Sequence, residues 1–310
     1  MKDFQDPKEV FAQALLDVAE SNENIVALSA DSSGGSGLGL FKQRFPERHI
    51  EFGLMEQGVI GFASGLATAG KIPFVAAIAP FVSLRAFEMC RNDLGYMNQN
   101  VKVVGRSAGL TYPTQGLTHF ALEDVAIMRT IPNMTVIAPG DPAELKWLVH
   151  AAAASVGPMY IRYGGHKMPV LHAEGFTFEI GKGILMKDGS DVTIVGSGIL
   201  LPNACAASEI LEHKGIKVRL IDIHTIKPMD RNIIVKAAKE TGKVVTVEEH
   251  SVTGGLGSSV AEILAEEYPV QLKRIGVRER CDWTGPYEEL LGFHGLTAEQ
   301  IAATVIEFIA

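Results

Sequence analysis

A single acidic residue, Glu56, stands at the start of a glycine-rich predicted helix in the stretch from residue 51 to residue 87. Three glycines share one face of this helix because they are spaced three and four residues apart: Gly58, Gly61 and Gly65. Glycine costs about 1 kcal/mol relative to alanine inside a helix, so we expect another backbone or a flat ligand to approach this face closely. Phe81 follows the next predicted strand. A carboxylate, a glycine face and an aromatic ring could together bind a flat, nitrogen-rich ring.

Each of these features also has a simpler structural explanation. Glu56 could only complement the helix dipole and the free N–H groups of the first turn. Phe81 could be an ordinary core residue, and the three glycines could serve only the packing of one helix against another. Position in the sequence leaves both explanations open.

Two further segments place polar residues next to predicted elements. Asp31 follows a buried strand at residues 24–30 and opens the glycine-rich loop SSGGSGLG. Open α/β sheets bind ligands in such loops, but this one lacks the known phosphate-binding motifs and could be only a turn or linker. His119 lies where the loop AGLTYPTQGLTH meets a predicted helix. It could contact a ligand, or it could be a neighbour of the helix cap that contacts none.

Strands and helices alternate along the first part of the chain and must position these residues. A helix is predicted over residues 7–21, with Asp6 as its cap and Pro7 in its first turn. The later strands are predicted at residues 73–79, 101–107, 134–138 and 158–163. This order predicts a mostly parallel sheet that helices cover on both faces.

The second part of the chain alternates in the same way after a change of composition. Residues 171–190 are rich in glycine and charge, and they predict a linker with a small hairpin. Helices are predicted at residues 201–213, 231–241 and 255–267, between strands at 192–195, 217–223, 243–248 and 271–276. The sequence therefore predicts an α/β protein with one domain over residues 1–170 and another over residues 191–310.

The composition excludes several classes of function. The 310 residues carry a net charge of −8 and no long basic run, which argues against nucleic acid or an anionic membrane as the main partner. Three scattered cysteines, Cys90, Cys205 and Cys281, have no metal-binding spacing and indicate reduced thiols in a cytoplasmic protein. The sequence shows no signal-peptide core and no stretch that predicts a membrane span.

Six motifs, taken together, resemble the transketolase group of thiamine diphosphate enzymes. They are FGLMEQGVIGFASGLA, GLTHFALEDVAIMRTIPNM, APGDPAE, LIDIHTIKPMD, VEEHSVTGGLGSSVAEIL and GLTAEQI. Nearly the whole chain resembles the C-terminal half of a transketolase that is split into two polypeptides. The resemblance implies a parallel-sheet pyrimidine-binding domain followed by a transketolase C-terminal α/β domain with a mixed sheet.

The resemblance also implies roles for individual residues. Glu56 matches the glutamate that hydrogen-bonds a ring nitrogen of the cofactor's aminopyrimidine. Phe81 matches the aromatic residue whose ring stacks on that aminopyrimidine. Asp31 matches an acidic residue close to the cofactor, although its SSGGSG neighbours depart from the family loop. His119 matches a substrate-facing histidine. A carboxyl group in an apolar, water-poor site can stay protonated near neutral pH and can then tune the aminopyrimidine for proton transfer.

Some positions depart from the transketolase pattern. Gln115 stands where transketolases usually carry an aspartate that contacts a donor hydroxyl, and glutamine can hydrogen-bond without a charge. We expect Gln115 to bind substrate and to tune substrate choice. Pro7 and about Gly165 occupy positions where transketolases place phosphate-binding arginines, the usual bidentate ligands of phosphate. We therefore expect one substrate to be unphosphorylated or to carry a different anionic group.

The family's GDG motif, which holds the diphosphate and its metal, is absent from the sequence. We therefore expect no metal ligand in this chain. The resemblance implies an N-terminal partner subunit that holds the diphosphate and Mg²⁺, in an assembly with two copies of each chain. Glu248, Glu249 and His250 are expected to be structural or to lie at an interface, because no cofactor ligand is expected in the second domain.

The predicted function is transfer of a two-carbon ketol unit from a ketose to an aldose, with thiamine diphosphate and only in the presence of the partner. The substrates would be small sugars or sugar phosphates. Two enzyme alternatives stay open, a subunit like deoxyxylulose phosphate synthase and one like the beta chain of a 2-oxoacid dehydrogenase. A non-catalytic scaffolding partner is the alternative from another class.

Overall fold

The computed structural model of the chain describes residues 3–173, 175–278 and 283–310, so Cys281 lies outside the described residues. The elements of the first half are β1 (Phe4–Gln5), α1 (Pro7–Ser21), β2 (Ile25–Ser29), α2 (Gly39–Arg44), β3 (His49–Glu51), α3 (Glu56–Thr68), β4 (Ile72–Ile78), α4 (Phe87–Met89), β5 (Lys102–Arg106), α5 (Asp124–Thr130), β6 (Thr135–Ile137), α6 (Pro142–Ala154), β7 (Met159–Arg162) and β8 (Met168–Pro169). Two π-helical turns, Phe81–Arg85 and Cys90–Tyr96, flank α4.

The elements of the second half are β9 (Ile184–Lys187), β10 (Val192–Gly196), α7 (Leu201–His213), β11 (Val218–Asp222), β12 (Thr225–Lys227), α8 (Arg231–Thr241), β13 (Lys243–Ser251), α9 (Leu256–Glu267), β14 (Gln271–Val277), α10 (Tyr287–His294) and α11 (Ala298–Ile309). The alternation of strands and helices confirms the predicted α/β class.

The first sheet has seven strands in the order β12-β6-β7-β5-β4-β2-β3. All of its neighbouring strands are parallel except β12, which pairs antiparallel with β6. Residues of α3 and α5 pack on one face of this sheet, and residues of α1, α2 and α6 pack on the other. Strand side chains alternate between these two cores, as the pleat of a strand requires. The mostly parallel, doubly covered sheet is thus confirmed.

The second sheet has five strands in the order β14-β13-β10-β11-β9. The strand β9 is antiparallel to β11, and the other neighbours are parallel, so the sheet is mixed as the resemblance implied. The predicted hairpin at residues 171–190 is wrong. Within that segment the structure describes the single strand β9, which pairs with β11, because the open edge of a sheet offers more stable pairing than an isolated hairpin.

A buried cluster of charged residues joins the two halves of the chain. Asp141 caps α6, and its Oδ2 accepts hydrogen bonds from the backbone N–H groups of Leu171 and His172 at 2.7 and 2.9 Å. The His172 ring lies between carboxylates, with Nδ1 3.2 Å from Asp141 Oδ2 and Nε2 3.4 Å from Asp222 Oδ2. Glu144 Oε1 lies 3.9 Å from the same Nε2. The linker is therefore tied to both domains.

The charges of this cluster depend on one another. Burial opposes protonation of His172, but the hydrogen bond to Asp141 and the charge of Glu144 outweigh it and raise the His172 pKa. Burial raises the pKa of Asp222 to about 7. Burial and the charge of Asp222 raise the pKa of Glu144. At these three groups the folded protein binds protons more tightly than the unfolded chain.

We expect Asp222 to make the melting temperature fall as pH rises from about 4 to about 7, between its unfolded and its folded pKa. Each raised pKa contributes stability below the unfolded value, and that contribution is lost as pH rises through the folded value, which for Asp222 is about 7. Asp222→Asn removes one titrating group, so its melting temperature should depend less on pH. Thermal unfolding at several pH values tests this, with exposed Glu307→Gln as control. Equal pH dependence in wild type and Asp222→Asn would contradict it.

Candidate functional site

Glu56 begins α3 and is only 3% exposed. Its Oε1 accepts a hydrogen bond of 2.8 Å from Nη1 of Arg85. The carboxylate is thus shielded from water as expected, but its surroundings are not purely apolar, because a guanidinium cation is bound to it. Arg85 is 29 residues away along the chain, and the sequence carries no local signal for this contact.

The glycine face of α3 meets no other backbone within the described part of the chain. A Cβ built on Gly58 would approach the side chain of Met55, and one on Gly61 would approach Asp93. A Cβ on Gly65 would enter space with no described atom within 4 Å. The expected close approach of another chain or a flat ligand therefore stays a prediction.

Phe81 opens the π-helical turn that follows β4, and Arg85 ends this turn. The Arg85 guanidinium carbon lies 4.4 Å from the centroid of the Phe81 ring, within the range of a cation–π contact. Such π-helical turns occur often at functional sites. The segment after Phe81 is not one continuous α-helix, because two such turns interrupt it on either side of α4.

His119 lies next to Phe81, with 5.2 Å between the ring centroids and 66° between the ring planes. The Tyr112 ring is also next to His119, with 5.2 Å between the ring centroids. The His119 Nδ1 is 2.9 Å from the Thr118 hydroxyl. The helix predicted to follow His119 directly begins only at Asp124. We call these connected residues the Glu56 cluster: Glu56, Phe81, Arg85, Tyr112 and His119.

The structure therefore brings three of the five predicted site residues together. Gln115 is exposed near them, and its backbone N–H donates to the Tyr112 carbonyl at 3.2 Å. Asp31 is exposed at the end of β2 with a φ of 52°, and its backbone N–H donates to Glu51 Oε1 at 2.7 Å. The Asp31 backbone thus bonds to Glu51 at the end of the neighbouring strand β3, and not to the Glu56 cluster.

Glu51 fixes the loop that Asp31 opens. Its carboxylate accepts hydrogen bonds from the hydroxyls of Ser29 and Ser33 at 2.6 and 2.5 Å, besides the bond from Asp31. Although burial favours the neutral acid, these hydrogen bonds lower the pKa of Glu51 to about 2. Glu51 is therefore an ionised acceptor that holds the loop in place.

Arg85, Arg106, Tyr112 and Glu51 are residues that the sequence analysis did not single out. Arg85 stands four residues after Phe81, a helical spacing that could have suggested a contact between the two. Its bond to Glu56 spans 29 residues, for which the sequence offers no local signal. Arg106 ends β5 and donates to the hydroxyls of Ser36 and Ser107, which places a cation beside the loop that follows Asp31.

The second domain anchors the loop that carries His119. Glu249 accepts hydrogen bonds from the backbone N–H of Leu110, at 2.6 Å, and from the Tyr287 hydroxyl. Glu248 accepts the backbone N–H groups of Leu256 and Gly257 at the start of α9. Burial raises the pKa of both glutamates to about 7. Through these contacts the pair holds backbone N–H groups of both domains, and its structural or interface role stays a prediction.

His250 completes the same junction. It is buried, with its Nε2 3.9 Å from Asp124 Oδ1 and 3.3 Å from the backbone nitrogen of Ala126. The Asp124 carboxylate also accepts hydrogen bonds from Arg162 Nε and the Tyr160 hydroxyl at 2.8 and 2.7 Å. His250 thus contacts residues of the first domain, and the structural or interface role predicted for it stays a prediction.

The residues present near Glu56 fit an aminopyrimidine. Glu56 offers a buried hydrogen-bond acceptor and Phe81 offers a ring face, and the planar, nitrogen-rich guanidinium of Arg85 uses both.

In the described part of the chain, metal-ligating distances are found at Asp141, Glu144 and His172, which belong to the cluster between the domains. Among the described helices, none combines the length and the hydropathy needed to cross a membrane.

Two family models match the chain. The model of the transketolase pyrimidine binding domain matches residues 5–169, and the model of the transketolase C-terminal domain matches residues 181–301. Together the two models cover most of the chain, in the order that the sequence motifs imply.

Similar proteins of known sequence or structure align over nearly the full chain. A 6-deoxy-6-sulfo-D-fructose transketolase subunit of Clostridium sp. (strain MSTE9) is 40% identical, over 97% of this chain and 93% of that protein. An apulose-4-phosphate transketolase subunit of Phocaeicola vulgatus is 38% identical, over 96% of each chain. A solved split gene transketolase, described as an inactive beta4 tetramer, is 42% identical over 98% of each chain, with a TM-score of 0.91.

Since both domain models match and these relatives align from one domain into the other, the chain belongs to the thiamine diphosphate-dependent transketolase family, as a C-terminal subunit of its split form.

Proposed function

We propose that this chain acts with an N-terminal partner subunit to transfer a two-carbon ketol unit from a ketose donor to an aldose acceptor. The observation that carries this proposal is the Glu56 cluster, in which a buried carboxylate, an aromatic ring and a histidine lie side by side. The match to transketolase domains supports it. A scaffolding protein would have no need to keep these three groups together.

Glu56 and Phe81 would hold the cofactor. Thiamine diphosphate supplies, when bound, the chemistry that breaks and forms the carbon–carbon bond of the ketol unit. Glu56 would bind a nitrogen of the aminopyrimidine and hold or release a proton there, in a position that water barely reaches. Phe81 would support the ring face and fix its orientation. Asp31 would lie close to the cofactor at the junction with the partner.

His119 and Gln115 would contact the substrate. The Nδ1 of His119 is paired with the Thr118 hydroxyl, which leaves Nε2 for a sugar hydroxyl. Glu249 and Tyr287 hold the loop that carries both residues. Gln115 is exposed close to His119 and would select among substrates through neutral hydrogen bonds.

A partner subunit would complete the active site. The diphosphate and its Mg²⁺ would be held mainly by that partner, because the GDG motif is absent from this sequence. The solved relative, a tetramer of beta chains, is described as inactive, which supports dependence on a partner. Apolar side chains are exposed near the glycine face of α3: Leu54 (77%), Met55 (57%) and Phe62 (43%). Such a patch favours contact with other chains, in an assembly with two copies of each subunit.

The anionic end of the substrate would set the specificity. The names of the relatives give a sulfo group in one case and a phosphate in another, so related subunits act on different anionic sugars. Pro7 and Gly165 stand where a pair of phosphate-binding arginines is expected, while Arg106 supplies a cation at the end of β5. We propose a substrate that is unphosphorylated or carries an anionic group other than phosphate.

Glu56→Gln is expected to lower kcat of the complex with the partner by about 100-fold or more, because glutamine cannot exchange a proton with the cofactor. The measurement is ketol transfer with thiamine diphosphate and Mg²⁺ over a panel of ketoses and aldoses. Glu9→Gln is a matched control, since Glu9 is also an acidic residue in the first turn of a helix. Full activity of Glu56→Gln would remove the role of Glu56.

The same assay tests dependence on the partner. We expect no turnover by this chain alone and turnover in the mixture, because the chain lacks the motif that binds the diphosphate and its metal. Activity of the isolated chain would contradict the proposal. A stable complex that transfers nothing from any ketose would favour the scaffolding alternative.

We expect kcat/KM for standard pentose phosphates to be about tenfold or more below that for the matching sulfonated or uncharged sugars. A sugar phosphate carries nearly two negative charges, against one on a sulfonate, and its loss of hydration is not offset where a bidentate arginine contact, worth roughly 1.5–3 kcal/mol, is missing. The three substrates should be matched in chain length and hydroxyl configuration. Comparable kcat/KM for all three would contradict the proposed specificity.

A further inference from the structure

The Arg85 side chain makes two contacts that the proposed function assigns to the cofactor. Its Nη1 donates to Glu56 Oε1 at 2.8 Å, and its guanidinium carbon lies 4.4 Å from the centroid of the Phe81 ring. The aminopyrimidine would need the same carboxylate and a face of the same ring. The Arg85 guanidinium therefore already contacts both residues that would bind the aminopyrimidine, Glu56 and Phe81.

A guanidinium is a good substitute for a flat, nitrogen-bearing ring. It is planar, its N–H groups donate in a fixed fork, and it stacks on aromatic faces. The Glu56 oxygen that Arg85 occupies cannot bind a ring nitrogen from the same direction at the same time. At 4.4 Å, the space between Arg85 and the covered face of Phe81 does not admit a second planar group. If the cofactor uses this oxygen and this face, the two occupants exclude each other.

The two ends of this ion pair differ in their exposure. Glu56 is 3% exposed, and a buried carboxylate without a partner is costly, so the cofactor-free site needs a cation or donor there. The Arg85 side chain is 48% exposed, so it is already partly hydrated and can turn into solvent at little cost. Displacement of Arg85 is therefore the easier way to open the site.

We propose that Arg85 is a displaceable occupant of the cofactor position, which pairs with Glu56 in the cofactor-free protein and must turn away before thiamine diphosphate binds. This inference rests on the proposed function. Arg85 stabilises the empty site and lowers the apparent affinity for the cofactor, because only the fraction of molecules with Arg85 displaced can bind it.

The test is a titration of the assembled complex with thiamine diphosphate at saturating Mg²⁺, after both have been removed by dialysis. Binding is followed by calorimetry and by intrinsic fluorescence, so the readout does not require turnover. Arg85→Ala should bind thiamine diphosphate about five- to tenfold more tightly than wild type, since competition from a partly exposed ion pair and a cation–π contact is removed. Arg85→Lys should lie between the two, because it keeps the charge without the planar fork.

Arg91→Ala is the matched control. Arg91 also lies over an aromatic ring, Tyr96, at 5.1 Å, and donates to the adjacent Asn92, but it belongs to the other π-helical turn. Its substitution should leave the affinity for thiamine diphosphate unchanged. In a Glu56→Gln background, Arg85→Ala should gain less affinity than it does with Glu56 present, because the competing ion pair is already weakened.

A second measurement, the melting temperature with and without thiamine diphosphate, keeps the test informative if a variant is less stable than wild type. The cofactor-free Arg85→Ala complex should melt at a lower temperature than wild type, and saturating thiamine diphosphate should remove the difference. Equal or weaker binding by Arg85→Ala, with wild-type binding intact, would overturn this inference alone. If the wild type, Arg85→Ala and Arg91→Ala all form a stable complex but none of them binds thiamine diphosphate, the proposed function and this inference would both be overturned.

Discussion

The Glu56 carboxylate lies at the start of α3, where water barely reaches it, and a negative charge in such a position has to be paired or hydrogen-bonded. The elements around it meet that requirement. The chain passes from α3 through β4 into a π-helical turn, and that turn returns Arg85 to the carboxylate. The same turn begins with Phe81, so the cation, the ring and the carboxylate are positioned by one short connection. His119 then completes the cluster from the next loop.

The rule that governs Glu56 also governs the junction between the domains. Asp141, His172 and Asp222 come from three separate segments, and each one has a charged neighbour from another segment. Glu249 reaches from β13 to the backbone of Leu110. The loop that presents His119 is therefore fixed by a glutamate of the other domain. Buried polar groups thus connect the stability of the whole chain to the geometry of the site.

Local signals predicted much of the fold. The helix α1 has its predicted bounds, and the side chain of its predicted cap, Asp6, accepts the N–H of Lys8. The helices α7 and α8 also have their predicted bounds. The strand β12 was not predicted, and β9 was predicted only as part of a hairpin, because both pair with strands far along the chain. The short elements α2 and β3 carry too few residues for a periodic pattern. At the site, the motifs identified Glu56, Phe81 and His119, whereas the role of Arg85 depends on a contact that exists only in the folded chain.

The strand β12 gives the first sheet its last member from the second half of the chain. A chain that is still being synthesised therefore leaves β6 as an open edge until residues 225–227 have emerged, although every other strand of that sheet was made much earlier. An open, apolar edge strand invites pairing with other chains. The first domain would consequently remain at risk of association from the time β6 has formed until β12 returns and covers that edge.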